Sequence, residues 1–137
     1  MSGVPASASD LARFGIDRWQ SGDFEAVYAS WHPDIRFRPD VNFPDAGELN
    51  NQQARRFVED QQQFMGNGLL AVVEEHDLGE RCLLRIRQQV DAPASGVRSS
   101  YEWSVLATAR EGKLVRVEFF IDRTEALRAA GVAGPDG

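Results

Sequence analysis

The spacing of apolar positions along this chain changes character once, near residue 69. Before it the pattern is mostly helical; after it, side chains alternate. Leu11, Phe14, Gly15 and Trp19 share one face of a helix predicted from about Asp10 to just before Gly22. Asp23 is placed to cap a second short helix carrying Phe24, Val27, Tyr28 and Trp31, which Pro33 prevents from continuing. Asp34 to Arg38 then alternates, a half-buried strand with Ile35 and Phe37 on one side. Pro39 to Gly47 is a loop by its breakers, and Asn50 with Gln53 suggests a capping box for a third helix to about Met65, ended by Gly66 and Gly68.

Beyond that point the period is two. Strands are predicted at Leu69 to Glu75, Arg81 to Val90, Ser99 to Ala109 and Leu114 to Ile121, joined at Gly79, at Pro93 with Gly96, and at Gly112. Alternation assigns Leu84, Ile86, Gln88 and Val90 to the interior, with Tyr101, Trp103, Val105 and Ala107, and with Val115, Val117, Phe119 and Ile121. The opposite faces carry Arg85, Arg87, Glu102, Arg116 and Glu118, whose burial would strand charges. Asp122 to Glu125 reads as a capping box opening a last short helix. Helices first and an antiparallel meander afterwards make the class α+β, with helices packed on one curved face.

Length and charge narrow the function classes. One domain is expected over residues 10–132 of the 137, with tails at 1–9 and 133–137. The net charge of −6, without a basic stripe, argues against nucleic acid or an anionic membrane as partner. The first nine residues lack a basic start and an apolar run, so no secretory signal is read there. No run approaches a membrane span, and Cys82 is the single cysteine; a cytoplasmic setting is the simpler expectation. His32 and His76 stand alone, so neither metal nor cofactor is expected.

Three segments carry a family resemblance: Ser21-Gly22-Asp23-Phe24, Trp31-His32-Pro33-Asp34 with the strand after it, and the closing Glu111 to Gly131. In this order they resemble the SnoaL-like group of the nuclear transport factor two superfamily. The resemblance implies a cone-shaped α+β barrel: a curved, mainly antiparallel sheet, three N-terminal helices on its concave face and a short C-terminal helix. It also implies an apolar pocket and a homodimer built on the outer sheet face. Relatives include ketosteroid isomerases, limonene-epoxide hydrolases and polyketide cyclases, which do cofactor-free acid–base chemistry with carboxylates tuned by burial.

Position by position, the relatives' carboxylates are missing. The isomerase base falls at Pro39, with Asp40 next to it, and the isomerase phenol at Gly15. The epoxide hydrolase arginine and aspartate fall at Ile86 and Gln88, and its second aspartate at Phe119; a one-residue shift puts Glu118 there. Asp122 lies close to where the cyclases keep their acid–base aspartate, but a capping role occupies its oxygens and favours the ionised form. Asp40 is the leading base candidate, against the ordinary reading of a surface loop aspartate. Tyr101 and Gln88 are inward polar groups that could polarise an oxygen, or satisfy each other or a water. The expected pocket wall is Gly15, Trp19, Trp31, Phe37, Ile86, Gln88, Tyr101, Trp103, Val117 and Phe119.

Three readings follow. The first is a cofactor-free isomerase, cyclase or hydrolase acting on an apolar small molecule. The second is a binding protein that kept the pocket and lost the carboxylates. The third is a structural dimer whose cone is filled by Trp19, Trp31 and Trp103.

Overall fold

Ser7 caps the first helix: its side chain accepts from the Asp10 N–H, and α1 runs Ala8–Ser21, beginning two residues before the expected start. The computed structural model describes residues 7–40, 47–65, 70–92 and 97–132, without the side chains of 64–65, 90–92 and 97–99. Gly22 ends α1 in the left-handed region at φ +81°, where a Cβ would be strained. Asp23 then caps α2 (Phe24–Ala29) through the Ala26 N–H.

Trp31 does not continue that helix. Ser30 closes it through its bonds to the Val27 carbonyl, and Trp31 is the first residue of β1 (Trp31–Arg38). Pro33 therefore sits inside an edge strand, where a missing donor is tolerated. His32 belongs to that strand, and its Nδ1 accepts from the Asp34 N–H. The Asn50–Gln53 capping box forms in both directions, opening α3 (Asn51–Met65).

The remaining strands are β2 (Leu70–Asp77), β3 (Arg81–Ala92), β4 (Val97–Arg110) and β5 (Lys113–Phe120), and α4 (Arg123–Ala130) follows. β2 runs two residues past the expected end and takes in His76. The expected terminators Gly66 and Gly68, and the Pro93–Gly96 connection, lie outside the described residues. The sheet order is β1-β5-β4-β3-β2, antiparallel except for β1 beside β5. Glu111 and Gly112, both at positive φ, make the two-residue turn between β4 and β5.

The sheet is curved and unclosed, with a core on each side. On the concave side Ile35, Leu84, Ile86, Val105 and Val117 pack with α1 and α3. On the other side α4 buries Leu83 and Leu106 under Ala126, Leu127 and Ala130. Leu106 and Ser104, which alternation placed on the outer face, are therefore buried there rather than solvated. Arg123 pairs with Glu74 at one end of α4, and Arg81 donates to the Ala130 carbonyl at the other.

One register detail alters the inward set. Ala109 pairs with Leu114 but Thr108 pairs with Arg116, so Val115 is an extra residue in β5. This bulge puts Leu114 on the concave side where simple alternation put Val115.

Candidate functional site

Between the concave face and the helices lies a cavity of about 410 Å³. Burial grades along the strands that wall it. On β4, Ala107 and Val105 are nearly sealed while Tyr101 is 45% exposed. On β5, Leu114 and Val117 are buried and Ile121, just past the strand, is 48% exposed. The closed end therefore lies toward the β4–β5 turn and Val27 of α2. The mouth lies by Tyr101, Ile121 and Gln61.

Of the expected wall, Gly15, Trp19, Trp31, Phe37, Tyr101, Trp103, Val117 and Phe119 border this space. Ala12, Ile16, Val27, Phe57, Val58, Val105, Ala107 and Leu114 join them. Alternation could have pointed to Val105 and Ala107, whereas the helix faces toward the cavity depend on packing angles that spacing does not carry. Ile86 and Gln88 are fully buried behind the wall rather than on it. Their strand, β3, lies one place beyond β4 in the sheet, and α1 covers it.

The polar groups are mostly engaged elsewhere. Gln88 accepts through Oε1 from the Trp103 indole N–H at 3.1 Å. Trp19 donates its indole N–H to the Val58 carbonyl at 2.7 Å. Tyr101 sits at the rim, too exposed to be the inward polar group that alternation predicted. Glu102 borders the mouth, but Arg87 first, then Arg85, bind its carboxylate and hold it below the usual carboxylate range.

The carboxylate candidates divide by position. Asp40 is 3% exposed, not a surface loop residue. Its Oδ2 accepts from the Ile121 N–H at 2.8 Å, joining the end of β1 to the end of β5. That puts it next to a mouth residue without making it part of the wall. Asp122 accepts from the Glu125 N–H at 3.0 Å, capping α4 as expected. Glu118 alternates away from Val117 and Phe119 and pairs with Arg116, two residues back on the same strand, at 3.4 Å. Asp40, Glu118 and Asp122 are thus all absent from the wall, and Glu102, paired with two arginines, is the one acidic residue bordering the cavity among the described residues.

Other titratable groups lie apart from the cavity. Burial raises the Cys82 thiol, which is a small core side chain. Burial and the hydrogen bond to Glu59 raise the Tyr28 phenol, with Arg55 over its ring. Among the described residues no group of three or more His, Cys, Asp or Glu gathers as a metal would need. No described helix is long and apolar enough to cross a membrane.

Neither a protein-family profile nor a curated protein matches the sequence. Solved structures do. TerC, co-crystallized with polyporic acid, is 20% identical, with 90% of this chain and 97% of that one covered at a TM-score of 0.69. An NTF2-like protein of unknown function from Burkholderia pseudomallei is 19% identical over 90% of this chain and 96% of its own, at 0.70. AclR from Streptomyces galilaeus is 18% identical over 93% and 86%, at 0.68. Identities this low speak to architecture alone. The chain has the nuclear transport factor two-like (NTF2-like) fold, the architecture of the SnoaL-like proteins.

Proposed function

We propose that this protein binds a neutral, largely apolar small molecule in its cone cavity, as a binder without the relatives' carboxylate chemistry. The observation that carries the reading is the wall itself. It is built mainly from three tryptophans, three phenylalanines and aliphatic side chains, and the one acidic residue bordering it among the described residues, Glu102 at the mouth, is held by Arg87 and Arg85. A space of about 410 Å³ falls within the roughly 300–1,000 Å³ of small-molecule sites. Charged ligands are disfavoured, because a dry apolar wall cannot replace their hydration. TerC's co-crystallization with polyporic acid supports a small-molecule role for a protein of this fold. A cone filled by its tryptophans is less well supported, since the three rings border open space.

Trp19, Trp31 and Trp103 all border the cavity, so their fluorescence is a built-in reporter. Titration with neutral polycyclic arenes and ketones should give saturable quenching at micromolar concentration. No saturable change across the panel would remove the binding reading.

One observation favours a second reading, an isomerase, cyclase or hydrolase. Asp40 is a buried carboxylate beside Ile121, a residue of the mouth, close enough to the cavity entrance to serve as a general base. Asp40→Asn keeps an oxygen to accept the Ile121 N–H and removes the base. Under this reading turnover of a bound substrate disappears while its affinity stays; unchanged turnover removes Asp40 from the role. We also propose a homodimer on the outer sheet face, bearing Arg87, Glu102 and Thr108. A sedimenting mass near 15.2 kDa at micromolar concentration would exclude it.

A further inference from the structure

Three tryptophans border the cavity, and their indole N–H groups have different fates. Trp19 donates to Val58 and Trp103 donates to Gln88. Trp31 is 6% exposed, and its indole N–H has no acceptor among the described residues. Buried tryptophan donors usually find a partner, because an unmet one forfeits its hydration without compensation. The Trp31 donor is not sealed in protein. Among the described residues Ser9 Oγ is the one fully occluded side-chain polar atom without a partner. The small part of Trp31 that remains accessible therefore includes its Nε1, and the ring borders the cavity.

The ring is also held in place. Its backbone is fixed in β1 opposite Leu114. Tyr28 packs on it at 4.9 Å between centroids, tilted 58°, and Phe37 at 4.8 Å, tilted 53°. A donor this constrained costs little further ordering when an acceptor arrives.

We propose that Trp31 Nε1 is the ligand-facing hydrogen-bond donor of the cavity, and that it selects neutral apolar molecules carrying an acceptor oxygen, such as a ketone, over the matching hydrocarbons. This rests on the binding reading above and adds the identity of the polar contact. Anions are not the class selected: no lysine or arginine borders the space among the described residues. The donor is also distinct from the rim groups Tyr101 and Gln61, which water already reaches.

The test uses two rigid probes of nearly equal shape, 9-fluorenone and fluorene, measured by calorimetry on the wild-type protein and on Trp31→Phe. Wild type should bind the ketone about tenfold more tightly, the worth of one net hydrogen bond in a dry site. Trp31→Phe keeps an aromatic wall and should bind the two alike, chiefly by weakening the ketone. A ketone preference that survives in Trp31→Phe would overturn the proposal. In the wild-type protein, the Trp31 indole N–H proton resonance should move downfield with fluorenone and little with fluorene, a readout that does not depend on the variant folding. Equal binding of both probes by wild type would sink the donor role and leave the cavity reading intact. Binding of neither would sink both.

Discussion

Asp40 is a buried residue just past β1 that accepts from the Ile121 N–H across 81 positions of sequence. Losing that acceptor leaves a buried backbone donor unmet, which costs about 1–3 kcal/mol. Asp40→Ala should lower stability by that amount in urea unfolding, while Asp40→Asn retains most of it. Equal stability of the alanine variant and wild type would show that the contact does not hold the two strand ends together. The burial of Asp40 was not legible in its sequence neighbourhood, where prolines and a glycine point only to a loop. Its partner comes from the far end of the chain. Gln88 teaches the complementary lesson. Alternation placed it inward, and it is fully buried. Its partner, Trp103, lies diagonally across the β3–β4 pairing, opposite Ile86 rather than Gln88. Facing is a property of one strand; partnership needs the register of two.

At the scale of elements, α4 shows what a local signal can carry. Asp122 and Glu125 announced the helix start, and the cap forms. Asp122→Ala should cost about 1 kcal/mol and Asp122→Asn little, since asparagine caps nearly as well. Circular dichroism melts of the two variants would separate a cap from an acid–base group, for which the asparagine change would be the harmful one. Nothing local said that α4 covers the outer sheet face; that follows from Leu83 and Leu106 being apolar at positions that alternate outward. Its attachment to β2 is sensitive to acid. Arg123 first, then His76, hold the Glu74 carboxyl down from 4.5 to about 2. A carboxyl lowered on folding adds stability above its unfolded value, and that stability is lost as pH falls from about 4.5 toward 2. The melting temperature should therefore fall less steeply across this window in Glu74→Gln than in wild type. Parallel slopes would mean that the pair contributes nothing to holding α4. The β5 bulge at Val115 had no sequence signal, because strand pairing alone decides it.

For the whole molecule, the order of elements, the inward strand faces and most of the wall were readable because each is a repeated pattern. The empty space was not. Aromatic side chains at inward positions describe a filled core and a cavity wall equally well, and only the distances between helices and sheet decide between them. Gly15 offers a way to test that decision. It lies within α1, borders the cavity, and a Cβ built there meets nothing within 4 Å. Its φ is not positive, so substitution carries no backbone strain. Gly15→Ala should raise stability by about 0.5–1 kcal/mol, the usual helix gain over glycine. Gly15→Leu should keep that gain and extend a branched side chain into the space, so that neutral arenes no longer quench the tryptophans. A binding cavity predicts this split, with stability held and affinity lost together. If Gly15→Leu instead bound the arenes as wild type does, the ligand would have to sit elsewhere, and the cavity would be an unfilled part of the core.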